Sequence, residues 1–136
     1  MILVDAGPLI AAWAPRDPFH EVVRRFLRID RDPRVVPVPV VTEVGQMLLA
    51  RVGIRAEAAF LRWMSSGAVT NECPGPSDYA RAADLREQYA DFPLGTVDAL
   101  IVAIAERLEV TRLLTLDRGH FGAIRPLHCE AFEILP

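Results

Sequence analysis

Apolar and polar positions along the 136-residue chain follow two alternating rhythms. Short runs of aliphatic and β-branched residues read as strands: Ile2 to Val4, Val35 to Val38, Arg112 to Leu116 and Phe132 to Leu135, with a weaker one from Ala68 to Glu72. Between them, apolar residues recur at helical intervals. Pro8 to Ala14 predicts a short helix with proline in its first turn. A second helix is expected to start at Asp17-Pro18, with Asp17 as N-cap and Pro18 at the first helical position. Its stripe is Phe19, Val22, Val23, Phe26 and Leu27. Val40 to Val52 carries Val44, Met47 and Leu48, and Gly53 stops it. Arg55 to Ser66 sets Ala59, Phe60, Trp63 and Met64 on one side, and a helix from Ser77 to about Tyr89 sets Tyr79, Ala82, Ala83 and Leu85. Thr96 to Leu108 is apolar nearly all round, which predicts a helix central to the fold. Asp117 to Phe121 reads as a turn or short helix.

Strands that alternate with helices imply an α/β fold: a mostly parallel sheet covered on both faces. In such sheets ligands bind at the carboxyl ends of strands, near a reversal of strand order. Four acids fall at that edge. Asp5 ends Met1-Ile2-Leu3-Val4, Asp117 ends Leu113-Leu114-Thr115-Leu116, and Glu43 and Asp98 stand in the expected first turns of their helices. Each alone reads as a turn former or as a first-turn acid favoured by the helix dipole. Together they are costly beside core-forming segments unless solvated, paired or bound to a cation. The chain contains no lysine. Asp98 is the strongest case, because its helix is apolar on every face. The reading is a shared site for a hard metal ion, Mg²⁺ or Mn²⁺, whose usual ligands are carboxylate oxygens.

Composition fits a single domain over residues 1–136, with 51% hydrophobic residues for a core. No apolar run reaches the roughly 20 residues of a membrane span, and Met1 to Val4 is too short for a signal-peptide core. A cytoplasmic location is the expectation. Cys73 and Cys129 are isolated and read as two thiols rather than a disulfide. The net charge of −3 makes no general case for nucleic acid, but without the four clustered acids the remaining 14 face 15 arginines. Base-composition bias in the gene is the favoured reason that every basic residue is arginine. Arg24, Arg28 and Arg31 share a helical face, read as solvated rather than as an RNA surface.

The segments Ile2-Leu3-Val4-Asp5-Ala6-Gly7-Pro8, Pro39-Val40-Val41-Thr42-Glu43-Val44, Leu94-Gly95-Thr96-Val97-Asp98-Ala99 and Leu114-Thr115-Leu116-Asp117-Arg118-Gly119-His120-Phe121 carry a resemblance, in order and over nearly the whole chain. The chain resembles the PIN-domain ribonucleases, and most closely the VapC toxins of bacterial toxin–antitoxin pairs. The resemblance implies a three-layer α/β/α fold with a four- or five-stranded, mostly parallel sheet. It implies Mg²⁺- or Mn²⁺-dependent cleavage of RNA, a homodimer, and inhibition by a cognate antitoxin of the VapB type. Asp5, Glu43, Asp98 and Asp117 match the family's acidic positions. Ala6 departs from the Thr or Ser often found after the first Asp, which removes one hydroxyl contact.

Around these acids, Thr96 reads as a helix cap ahead of a substrate contact, and Thr115 as structural. Arg118 is a candidate for binding a substrate phosphate. His120 is read as fixing its loop, and His20 and His128 as structural or surface residues. Trp13, Phe60, Trp63 and Met64 read as core. Receiver domains and aspartyl-phosphate phosphatases share the strand-end layout, but both usually rely on a lysine, and the phosphatases want a second Asp where Gly7 stands. The non-enzymatic alternative is a catalytically silent PIN-like module that binds RNA or protein; retention of all four acids argues against it.

Overall fold

A computed structural model describes residues 1–136. The elements run β1 (Ile2–Val4), α1 (Ala6–Trp13), α2 (His20–Ile29), β2 (Arg34–Pro37), α3 (Val38–Arg51), α4 (Ile54–Ser65), β3 (Thr70–Glu72), α5 (Pro76–Gln88), α6 (Thr96–Leu108), β4 (Arg112–Leu114), α7 (Arg118–Ala123) and β5 (Glu133–Leu135). The five strands form one sheet in the order β3-β2-β1-β4-β5. Every pairing is parallel, with Leu3 of β1 opposite Val35 of β2 on one side and Leu113 of β4 on the other.

This order explains the layers. From β1 the chain steps outward to β2 and then β3, and it returns across β1 to reach β4. Right-handed crossovers therefore place α1 to α4 on one face and α5 and α6 on the other. The packing agrees: α1 packs on α2, α3 and α4, α3 packs on α4, and α5 packs on α6. The three-layer α/β/α architecture read from the sequence is the one observed. Its core includes all of β1, with Ile101, Val102, Ile104 and Ala105 of α6 and Phe60 of α4. Trp13, Phe60 and Trp63 stack on one another, with Trp13 centroids 5.5 Å from Phe60 and 4.9 Å from Trp63. The two cysteines are free thiols. No helix is long and apolar enough to cross a membrane.

Several boundaries differ from expectation, each for a local reason. The helix expected from Pro8 starts at Ala6, because the Asp5 carboxylate caps it. The second helix starts at His20, with Phe19 as its N-cap residue. Asp17 is spent earlier: its Oδ1 accepts the Phe19 N–H at 2.8 Å and closes a turn over Asp17-Pro18. On α2 only Val23 is fully buried; Phe19 and Val22 are exposed. The strand expected to end at Val38 ends at Pro37, and Pro39 sits in the first turn of α3, where its missing N–H costs nothing. Glu43 consequently lies in the second turn of α3, not the first. The last helical residue of α6 is Leu108, as expected, although Glu109 rather than glycine takes the left-handed conformation after it, at φ 55°.

Candidate active site

The central strand β1 lies beside both β2 and β4, at the reversal of strand order. Its carboxyl end is therefore where a pocket is expected. A cavity of about 680 Å³ opens there, and Asp5, Glu43, Asp98 and Asp117 all line it, together with Arg118, His120 and Arg51. The four acids come from four separate segments, and the fold brings all of them to one place.

Each acid is held differently. Asp5 is the N-cap of α1 and 8% exposed. Its Oδ1 accepts the Ala6 N–H at 2.7 Å, and its Oδ2 accepts the Thr115 hydroxyl at 2.7 Å. Asp98 sits at the third position of α6 and its Oδ2 accepts the Gly95 N–H at 3.2 Å, so the acid itself caps its helix. Asp117 lies beyond the end of β4, as N-cap of α7. Its Oδ1 accepts the His120 N–H at 2.9 Å, and its Oδ2 lies 2.6 Å from His120 Nδ1. The imidazole packs edge-on against Phe92, with centroids 5.2 Å apart. Glu43 projects from α3 into the same cavity.

Electrostatics couples three of them. The Asp5 carboxyl is raised to about 6: burial is the largest cause, the Thr115 and Ala6 hydrogen bonds oppose it, and the charges of Asp98 and Glu43 add to it. Burial and then the charge of Asp98 push Glu43 up. Asp98 is raised by burial first; the Gly95 hydrogen bond and the charge of His120 oppose this, while Asp117 adds to it. Carboxylates whose proton affinity is raised by burial and by neighbouring acids favour the approach of a positive charge. The side chains line the cavity without converging: no three His, Cys, Asp or Glu groups stand close enough to hold a metal ion between them. The donor set is oxygen only, and the mutual repulsion of Asp5, Glu43 and Asp98 is what a divalent cation would relieve. In chemistry and charge the residues fit Mg²⁺ or Mn²⁺.

Two expectations shift. Thr96 is exposed at the first position of α6; Gly95 is the N-cap, and Thr96 does not line the cavity. Thr115, read as merely structural, is fully buried; besides its bond to Asp5, its Oγ1 accepts the Asp117 N–H at 3.0 Å. One hydroxyl thus ties two of the acid-bearing segments together and supplies Asp5 with the hydroxyl contact that Ala6 cannot. The available signal was a threonine in an apolar strand two residues before an acid. Arg118 lines the cavity as expected, and its Nη2 donates to the Pro136 carbonyl at 2.7 Å. His20 and His128 are structural: His20 Nδ1 lies 2.8 Å from the Ala11 carbonyl and His128 Nε2 lies 2.8 Å from that of Val110.

Known proteins share this fold. The PIN domain family model matches residues 2–125. The chain is 33% identical over 135 residues to Ribonuclease VapC26 of Mycobacterium tuberculosis (strain ATCC 25618 / H37Rv), covering 99% of this chain and all of the relative. Among solved structures it is similar in fold to M. tuberculosis VapC20, described as a toxin that cleaves the sarcin-ricin loop, at a TM-score of 0.86 and 21% identity over 96% of this chain and 99% of the other. It is also similar in fold to a chain of a toxin–antitoxin complex from Klebsiella pneumoniae, at a TM-score of 0.70 and 18% identity over 100% of this chain and 97% of that one.

Proposed function

The chain belongs to the PIN-domain ribonucleases of the VapC family, and we propose that Asp5, Glu43, Asp98 and Asp117 are the residues through which it hydrolyses RNA. The observation that carries this reading is that all four acids line one cavity at the switch point of the sheet, where burial first, and then neighbouring carboxylates, raise the proton affinity of Asp5, Glu43 and Asp98. These four would hold Mg²⁺ or Mn²⁺. When bound, such an ion supplies a water of lowered pKa and polarises a phosphoryl oxygen. The remaining work falls to the protein. Thr115 and the Ala6 N–H fix both oxygens of Asp5, the Gly95 N–H orients Asp98, and His120 orients Asp117. Arg118 presents a guanidinium at the rim, where its remaining N–H groups suit an RNA phosphate.

In this reading the chain is the toxin of a toxin–antitoxin pair, acts as a homodimer on cytoplasmic RNA, and is silenced by a cognate antitoxin of the VapB type. A relative named as a ribonuclease and a fold shared with a chain of a toxin–antitoxin complex support it. The test is replacement of Asp5 or Asp98 by Asn, followed by RNA cleavage with Mg²⁺ or Mn²⁺. Cleavage should fall by more than about 100-fold, beyond the range seen when only a group that orients a metal ligand is removed. Full activity in a variant with an unchanged circular dichroism spectrum would overturn the assignment, and a chain that binds RNA without cutting it would be the silent module instead.

A further inference from the structure

Beside the acid-lined cavity lies a second, of about 550 Å³, bordered by Ile10, Arg16, Asp17 and Arg51 among others. Ile10 and Arg51 line both, so the two cavities adjoin. The link between them is one face of α3. Glu43, Met47 and Arg51 all line the acid cavity, and their spacing of i, i+4 and i+8 places them in a row. At 1.5 Å per residue, Arg51 stands about 12 Å along the helix from Glu43. The row thus runs from an acid, over an apolar thioether, to a cation.

The cation is free to act. The chain's arginine ion pairs employ Arg34, Arg81, Arg107 and Arg112. Arg16 and Arg51 stand outside them, and both are exposed. Asp17, which also lines this cavity, has its Oδ1 committed to the Phe19 N–H. Four residues either side of Arg51 along α3 and beyond stand Met47 and Arg55, not acids, so no helical neighbour claims it. The flank of the acid cavity at Leu116 and Arg118 differs. There a cavity of about 420 Å³ shares Leu116 and Arg118 with it, but Phe19 and Val22 contribute apolar surface and Arg118 is engaged by the Pro136 carbonyl.

We propose that Arg51, with Arg16, forms a phosphate subsite that grips the RNA strand to one side of the scissile bond, with Met47 as the apolar floor between. The proposal rests on the ribonuclease reading and deepens it. A chain of net charge −3 with acids at its centre repels a polyanion where it must react. Binding then needs cations placed beside the centre and not within it. An arginine fork meets phosphate oxygens through paired N–H groups, and every phosphate it neutralises releases counterions.

The experiment uses the full chain carrying Asp98→Asn, so that RNA is bound but not cut. The probe is a fluorescein-labelled single-stranded RNA of about 12 nucleotides, within the span of known single-strand grooves. Binding is followed by anisotropy between about 50 and 200 mM salt. Arg16→Ala with Arg51→Ala should weaken binding roughly tenfold at the low end. It should also flatten the dependence of log K on log salt by about 0.7 for each phosphate no longer neutralised. Arg51→Lys should keep most of the slope, and Arg28→Ala, on the exposed face of α2, should change neither quantity. Unchanged affinity and slope in the double variant, with an unchanged melting curve, overturn the subsite; so does an equal loss from Arg28→Ala. Normal RNA binding with loss of antitoxin binding assigns the arginines to a protein partner and also overturns it. Metal-dependent cleavage by the unsubstituted chain separates the levels. If it cuts RNA and the arginine variants bind normally, only the subsite falls. If it neither cuts nor binds, the ribonuclease reading falls with it.

Discussion

Thr115, itself fully buried, donates its hydroxyl to Asp5 across 110 residues of chain, at 2.7 Å. The same oxygen accepts the Asp117 N–H. Removing it leaves one carboxylate oxygen and one N–H without partners, at a cost of about 1–3 kcal/mol. Thr115→Val keeps the shape and loses the hydroxyl, so this cost should appear in urea unfolding. Loss of an orienting group also lowers metal affinity, by roughly 10- to 100-fold. Calorimetric titration with Mn²⁺ checks this, with Thr115→Ser retaining near-normal affinity. Normal metal binding by the valine variant would remove the positioning role.

Asp5 makes the metal-free protein pH-sensitive in an unusual direction. Its carboxyl titrates near 6 in the folded chain and near 3.8 when unfolded. Between those values the native state holds a proton that the unfolded chain has released. Its contribution to stability is therefore complete below about pH 4 and is lost as pH rises through 6. The loss is at most about 3 kcal/mol, at 1.36 kcal/mol per unit. Asp5→Asn should be more stable than the parent at pH 7 without divalent ions, and the advantage should vanish near pH 4. Saturating Mg²⁺ should reduce that advantage in the parent's favour. Chemical denaturation at both pH values checks the sign, and an advantage that persists at pH 4 would show that Asp5 ionisation is not its source.

Asp78 has the opposite sign. It is 2% exposed, and burial works to raise its carboxyl, but the Arg107 hydrogen bonds, the Gly75 N–H and the charge of Arg107 outweigh burial and lower it. Its contribution is present at neutral pH and is lost as pH falls below the ordinary aspartate range. Arg107 also reaches Glu72 at 2.9 Å, so this pair ties α6 to both α5 and the edge strand β3. Asp78→Asn should cost about 1–3 kcal/mol at pH 7, and the cost should shrink as pH falls below about 3.8. Thermal melting across that range measures the difference; a constant cost would mean that shape rather than charge matters.

Glu109 ends α6 at φ 55°, a conformation that costs a side-chain-bearing residue about 1 kcal/mol. Glu109→Gly should raise stability by about 0.5–1 kcal/mol with RNA cleavage unchanged. A lower melting temperature would show that the glutamate side chain makes a compensating contribution.

Features carried by local pattern were readable before any coordinates. α6 runs from Thr96 to Leu108 as its apolar run predicts, and β1 occupies Ile2 to Val4. All four acids line one cavity, because acids at strand and helix ends have few other reasons to sit beside apolar runs. What failed depended on competition between nearby partners. Asp17 was expected to cap α2 but closes a turn instead, and Thr96 leaves capping to Asp98. What was missed depended on distance. The hydroxyl of Thr115 gains its meaning from a residue at the other end of the chain. Arg51 gains its place only once it is known which face of α3 borders the acids.

The cavity is assembled from residues 5, 43, 98 and 117, with β1 joined to β4 beside it. Its walls therefore come from opposite ends of the chain. During synthesis Asp5 emerges first and waits for Thr115 and Asp117 before the site exists. A nascent or truncated chain that lacks them has no complete centre, whatever else it has folded. Discontinuity in sequence acts here as a condition: no single segment of the chain carries a complete acidic centre.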